Sequence, residues 1–333
     1  MDMPTDAVVP PSVPNIHLRP ARLVDAEAVA ALTLAVGKEN GDPSSALSVE
    51  DVRQYWQEPG FHLDTDTWLA ETADGKIVGY EELYDRHGFA ALEGDGYVHP
   101  DFLGQGIGTA LLRTMEARAR QVMTQADPRL RVALRNSMHA SDARACELHD
   151  NEGYAPIRYS WRMEICLDEP PEIPVFPDGV ELRAFEPDNH AHPLFSAVDE
   201  AFRDHWGYVP MRYENWASHT LGREDFDPSL WFVAWDGDRI AGMSLCRYRG
   251  RMGWVNTLGV RRPWRKRGLG LALLRHSFGD FFRRGDKTVG LGVDSESQTG
   301  ATRLYKRVGM KVAKEYVSYL KVLRPGQEIP KEE

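Results

Sequence analysis

The residues whose types and spacing point to chemistry are Leu258-Gly259-Val260-Arg261-Arg262-Pro263-Trp264-Arg265-Lys266-Arg267-Gly268-Leu269-Gly270, followed by Leu271-Ala272-Leu273-Leu274. They read as strand, basic loop, glycine-rich turn and helix start. Gly268 and Gly270 let the backbone adopt unusual dihedrals and approach a ligand closely. The helix that follows aims its unpaired N–H groups and positive dipole end at the same point, which suits a phosphate. A solvated basic turn before an amphipathic helix would share these features. The stretch occurs twice, however: Leu103-Gly104-Gln105-Gly106-Ile107-Gly108 lies between a strand ending at Val98 and a helix carrying Leu111, Leu112, Met115 and Ala119.

Two other phosphate-binding patterns fail on spacing. A Walker loop needs Gly-Lys followed by Ser or Thr, and neither turn offers it. A dinucleotide fingerprint needs Gly-x-Gly-x-x-Gly, whereas Gly104, Gly106 and Gly108 have the wrong interval. Gly290 and Gly292 lie inside an apparent strand, where close packing is their simpler role.

The elements that must position these turns also repeat. Val180-Glu181-Leu182-Arg183 echoes Ile16-His17-Leu18-Arg19. The hairpin Trp231 to Gly242, turning at Asp236-Gly237, echoes Trp68 to Gly79, turning at Asp74-Gly75. Gly309-Met310 echoes Gly153-Tyr154. The offset stays at about 160 residues, which marks a duplicated domain rather than a short solenoid. Asp25 begins a helix through Ala28 to Leu34, a second helix covers Val49 to Gln57, and Ala143 to Asn151 is helical. Tyr159 to Ile165 is expected to close the first unit as a strand. The prolines of Glu169-Pro170-Pro171-Glu172-Ile173-Pro174-Val175-Phe176-Pro177-Asp178 forbid helix and interrupt a ladder, so that stretch reads as a linker. The expected plan is a disordered tail over 1–14, a first domain over 15–168, a linker over 169–178, a second domain over 179–325 and a tail over 326–333.

Composition bounds the function. The chain has 333 residues, 42% of them hydrophobic, enough for two cored domains. No run approaches the roughly 18 apolar residues needed to span a membrane, and the start lacks the pattern of a signal peptide. Cys146, Cys166 and Cys246 form no close pair or metal-ligand spacing, so no disulfide framework and no metal are expected, and a reducing, cytoplasmic setting fits. The net charge of −10 argues against nucleic acid as a partner. The basic cluster from Arg261 to Arg267 on that acidic background suits a small phosphorylated ligand.

Together these residues resemble the GNAT superfamily of N-acetyltransferases in tandem form. The family signature is Arg or Gln, two residues, Gly, one residue, then Gly or Ala. Arg265 to Gly270 matches it throughout; Leu103 to Gly108 departs at Leu103. The resemblance implies an α/β (α+β) fold of two domains, each a central mixed, mostly antiparallel sheet flanked by helices. It implies acetyl-CoA as cosubstrate, with the pantetheine arm along Leu258, Gly259 and Val260, and the phosphates on Arg265, Lys266, Arg267, Gly268, Leu269 and Gly270. Backbone donors in such a loop stabilise an anion with little reorganisation, and an oriented strand amide can polarise the thioester carbonyl. In the first domain the matching positions are Val98, Leu103, Gly104, Gln105, Gly106, Ile107 and Gly108, which retain backbone donors for CoA.

The family commonly protonates the departing thiolate with a tyrosine in Ala-x-x-Leu-Tyr-x-x-x-Gly, and Ala301 to Gly309 match that pattern with Tyr305 as the acid. In the first domain His149 stands there; a histidine could serve as an acid, or the departure marks a domain that has lost turnover. For a general base, the segment Asp199 to Gly207 offers His205, with an ordinary pKa of about 6.5, or Asp204 or Glu200 acting through water; a structural role is the other reading of a lone loop histidine. Trp206, Tyr208, Tyr213 and Trp216 are candidates for lining a pocket or for core. Glu93 and Asp95, on one face of a first-domain strand, could recognise an amine or be a solvated edge. Among tandem members the chain is most similar to the mycothiol synthase group. The resemblance implies direct transfer to the primary amine of a small molecule or peptide by a monomer or homodimer. A non-catalytic acyl-CoA-binding or scaffold protein built from a duplicated domain is the alternative.

Overall fold

The computed structural model describes residues 13–250, 252–297 and 299–330. Most of the expected N-terminal tail, residues 1–12, and residues 331–333 of the expected C-terminal tail lie outside the described residues. Val13, with Ile16 and Leu18, packs against the buried cluster of Ala70, Val78, Ile107 and Leu111. Among the described residues, no helix is long and apolar enough to cross a membrane.

The chain divides into two compact units. The first begins with β1 (Ile16–Arg19), α1 (Ala26–Glu39), α2 (Val49–Trp56), β2 (Thr67–Thr72), β3 (Ile77–His87) and β4 (Ala91–Val98). It continues through α3 (Ile107–Val122), β5 (Val132–His139) and α4 (Ala143–Asn151), and the chain then enters β6 (Ala155–Cys166). The second contains β7 (Val180–Arg183), α5 (Pro187–Phe202), α6 (Tyr213–Thr220), β8 (Trp231–Asp236), β9 (Arg239–Arg249), β10 (Met252–Val260), α7 (Leu269–Arg283), β11 (Thr288–Asp294) and α8 (Ala301–Arg307). It leads into β12 (Lys311–Arg324). In both, antiparallel pairing runs from the first strand to the fourth, and the fourth pairs in parallel with the fifth.

The units are not the two sequential halves. Each repeat gives its last strand to the other unit: the first unit takes in Val317–Pro330, and the second begins at Arg158. Tyr159 to Ile165, read from sequence as closing the first domain, pairs with β11 from Thr288↔Cys166 to Asp294↔Ser160. Val317 and Tyr319 of β12 pack instead among Leu112, Met115, Leu134 and Tyr154 of the first unit. Alternation along a strand fixes which face is buried but not which sheet it joins, so the exchange left no local signal. Residues 169–178 form no helix or strand. They are strapped to the second unit by Phe176, which meets the His276 ring edge-on, and by Glu172, which pairs with Arg275.

The second core holds each functional element. Leu269, Leu273, Leu274, Phe278 and Phe281 of α7 are buried against β8 to β11, each leucine contributing about 2 kcal/mol by burial. The buried Ser244 and Ser277 hydroxyls, 2.7 Å apart, tie β9 to α7. Trp264 sits just before the glycine turn, 2% exposed. Its indole donates to Asp236 at 2.8 Å, and the Arg239 guanidinium lies over its ring at 4.6 Å. The turn is thereby moored to the β8–β9 hairpin.

Candidate active site

The two glycine turns share one backbone path. In the second unit Arg265 is extended (φ −62°, ψ 155°), Lys266 has φ 63°, Gly268 has φ 86°, and α7 begins at Leu269. In the first, Leu103 is extended (φ −64°, ψ 153°), Gly104 has φ 75°, Gly106 has φ 83°, and α3 begins at Ile107. Such alternation folds successive N–H groups toward one point, an anion-binding nest. Neither helix is capped by a side chain, which leaves its first N–H groups for a ligand. At Gly268 a Cβ would meet nothing within 4 Å, so the glycine is required for its left-handed conformation and not for space. Lys266 holds the same conformation where the first turn has Gly104, a feature visible only by laying the repeats over each other.

The strands that precede the turns open a slot. Parallel pairing of β10 with β11 stops at Trp254↔Gly290, leaving Thr257, Leu258, Gly259 and Val260 beyond it. In the first unit it stops at Gly94↔Asn136, leaving Asp95 to Val98. The slots differ in one respect. The ladder of β10 with β9 shifts between Val255 and Thr257, so that the exposed Asn256 is bulged. The ladder of β4 with β3 runs without interruption from Leu92 to Val98. A bulge rotates the backbone locally, and of the two fourth strands only β10 is shifted beside its slot. Gly259 lets α5 approach: a Cβ there would lie 2.7 Å from the Met243 sulfur and 3.2 Å from Ala201 and Phe202.

At the acid position the units diverge further. Tyr305 is 7% exposed in the second core, makes no side-chain hydrogen bond among the described residues, and burial pushes its phenol up to about 12. It keeps its proton at all ordinary pH. His149 occupies the matching place: the backbone N–H five residues on returns to its carbonyl (Tyr154 N–H to His149 O, 2.9 Å), as Met310 N–H does to Tyr305 O at 3.1 Å. Its Nδ1 lies 2.8 Å from the Ala145 carbonyl, which can only accept, so Nδ1 carries the hydrogen. Burial lowers the ring's pKa, and its buried Nε2 has no hydrogen-bond partner among the described residues. In its neutral form the ring has one N–H, and that N–H is committed to the Ala145 carbonyl.

The carboxylates expected near the acceptor side are engaged. Glu200 accepts from Arg261 at 2.7 Å. Asp204 accepts from Arg262 and, at 3.0 Å, from Arg265, and these guanidiniums hold its carboxyl well below the usual carboxylate range. His205, half-buried, packs on Phe202 with ring centroids 4.5 Å apart; burial and then Arg265 lower its pKa, against Asp294 and Asp204. Tyr305 and His205 neither hydrogen-bond nor stack on each other. Trp216 and Tyr213 are core partners of α5, while Trp206 stays 45% exposed under the Arg158 guanidinium, 5.2 Å away. Arg158 also grips Asp294 with bonds of 2.9 and 2.8 Å. That pair was missed in the sequence because exchange of β6 brings Arg158 there.

In the first unit Glu93 and Asp95 share a face but not a state. Arg86 and Arg135 hold Glu93 low. Asp95 faces Glu82 across the ladder; burial raises them to about 7 and about 8, each further raised by a neighbouring carboxylate. No group of His, Cys, Asp or Glu side chains is gathered to hold a metal among the described residues.

Comparison with known proteins agrees with this geometry. The model of the acetyltransferase (GNAT) family matches residues 35–153 and again 191–310. A mycothiol acetyltransferase of Salinispora arenicola is 29% identical over 95% of both chains. A GCN5-related N-acetyltransferase structure from Sphaerobacter thermophilus is 37% identical, covering 95% of this chain and 98% of that one, with a TM-score of 0.80. A tandem GNAT protein from the clavulanic acid biosynthesis pathway, 16% identical, shares the fold with a TM-score of 0.71 over 94% of this chain and all of that one. With two matched domains and two glycine turns of one geometry, the chain belongs to the GNAT family as a tandem acyl-CoA-dependent acetyltransferase.

Proposed function

We propose that the chain transfers acetyl from acetyl-CoA to the primary amine of a small molecule by direct attack in a ternary complex, and that the second unit does the chemistry. The observation that carries this is the contrast at the acid position: Tyr305 is a protonated phenol, whereas His149 has its only N–H bound to the Ala145 carbonyl. The pyrophosphate binds the turn at Lys266 to Gly270 through backbone N–H groups; the Arg265 N–H already donates to the Arg262 carbonyl at 3.3 Å. The exposed Lys266 and Arg267, which make no ion pair among the described residues, supply the facing charge. The pantetheine arm lies along Leu258, Gly259 and Val260, and an amide freed by the Asn256 bulge polarises the thioester carbonyl.

The amine attacks that carbonyl carbon, the tetrahedral intermediate collapses, and Tyr305 protonates the departing thiolate. His205, directly or through water, takes the proton from the amine. Asp204, tied to two guanidiniums, is the weakest base of the three candidates, and Glu200 is tied to a third. Val98, Leu103 and Gly104 to Gly108 bind CoA in the first unit without turnover, since Leu103 and His149 replace the signature residue and the acid. The three cysteines are free thiols, in keeping with a cytoplasmic enzyme.

The similarity to mycothiol acetyltransferases makes mycothiol lacking its acetyl group the first acceptor to test, followed by amino sugars, polyamines and peptide N-termini. Mass spectrometry of the chain with acetyl-CoA and each amine should show one acetylated product and free CoA. Retention of CoA with transfer to no amine would favour a scaffold instead.

A further inference from the structure

Arg265 fills the first place of the family's glycine signature, yet its guanidinium points away from the turn. Its Nε donates to the Val260 carbonyl at 3.0 Å, one terminal nitrogen to Ala201 O at 3.1 Å, and the other to Asp204 at 3.0 Å. Val260 is the last residue of β10, and Ala201 lies in the last turn of α5, where carbonyls have no partner within the helix. Asp204 begins the segment that carries His205 and Trp206. A planar fork can satisfy three acceptors in three directions at once; an ammonium on a flexible stem cannot hold that geometry. Reaching a phosphate would cost Arg265 all three bonds. Lys266 and Arg267, by contrast, are exposed on the turn itself. Arg262 reinforces the same link through Asp204, and Arg261 ties Glu200, one α5 turn back, to the Ile240 carbonyl. Leu103, the counterpart in the first unit, has no donor to offer.

We propose that Arg265 is a positioning residue and not a phosphate ligand: with Asp204 it fastens the loop at residues 203–209, His205 included, to the coenzyme turn. This rests on the acceptor-side reading of that loop. The groups facing His205 are the Phe202 ring, Arg265, Asp204 and Asp294. Loss of Arg265 therefore removes a cation beside the imidazole and the clamp that half-buries it, and both effects raise its pKa.

The test uses the full chain with CoA as the probe. In Arg265→Gln, the CoA Kd from calorimetry should stay within about twofold of wild type. Amide exchange over residues 203–209 should accelerate about tenfold, and the His205 imidazole should titrate higher by NMR. Arg265→Lys should lose the exchange protection although it keeps the charge. Asp204→Asn, which leaves the turn untouched, should accelerate the same amides, and the double variant should add little to either single change. Lys266→Gln with Arg267→Gln should do the opposite, raising the Kd about fivefold or more with the loop unchanged. The proposal is overturned if Arg265→Gln weakens CoA as much as that pair does, or leaves exchange at 203–209 unaltered. Failure of wild type to bind CoA would instead remove the acetyl-CoA reading, while the exchange data would still decide whether Arg265 holds the loop.

Discussion

The two units have the same turn and differ in what surrounds it. Gly104 and Gly106 trace the path of Lys266 and Gly268, so the capacity to cradle an anion is common to both. The second unit adds a bulged fourth strand, cations at the turn, a braced loop and a buried phenol. The first has a regular fourth strand, leucine at the signature position, and a histidine whose proton is bound to backbone. Backbone N–H groups survive most substitutions, whereas an acid depends on one side chain, so the two features need not be kept together in a duplicated domain.

The largest effect expected from breaking this contrast is at the acid. Tyr305→Phe should lower kcat about a hundredfold or more, as loss of a positioned acid does, with the CoA Kd within about twofold. His149→Phe should change kcat less than about twofold. Steady-state kinetics beside calorimetry on both variants would show it; equal losses would mean that both units turn over.

A smaller effect is expected in pH dependence. His205 must be neutral to accept a proton, and its pKa is lowered from about 6.5. The acid limb of kcat/KM should therefore inflect below about 6.5, and His205→Asn should remove it. Tyr305, at about 12, should add no basic limb up to about pH 10. A limb centred above 6.5 that survives His205→Asn would assign the base elsewhere.

The smallest effect concerns stability of the first unit. Folded Asp95 and Glu82 have pKa values raised to about 7 and about 8, above their unfolded values. The stability they contribute is full below the unfolded values and is lost as pH rises through about 7 to 8. Between pH 6 and pH 9 wild type should lose a few degrees of Tm more than Glu82→Gln with Asp95→Asn. A larger loss in the double variant by calorimetry would reverse the sign.

Much of this was legible in the chain because it was written twice. The paired turns, the hairpins at Asp74-Gly75 and Asp236-Gly237, and the matching Gly153 and Gly309 fixed the repeat and its family before any coordinates. What stayed hidden depends on pairing across long separations. Exchange of β6 and β12 obeys the same alternation as the unexchanged arrangement would. The Asn256 bulge is a matter of register, which sequence leaves open where both faces are buried. The direction of Arg265 was the sharpest difference: five basic residues among the seven from Arg261 to Arg267 suggested one phosphate patch, yet Arg261, Arg262 and Arg265 are spent on Glu200, Asp204 and backbone carbonyls. Charge counts along a chain do not say which charges are already answered.

The central claim, that turnover belongs to the second unit, is tested most directly by placing the same substitution in both turns. Gly268→Val and Gly106→Val each force a β-branched residue into a left-handed conformation at a site with no steric crowding. Acetylation rate at limiting acetyl-CoA should fall about tenfold or more in Gly268→Val and stay within about twofold in Gly106→Val. A fall confined to Gly106→Val, or shared equally by both, would contradict the account.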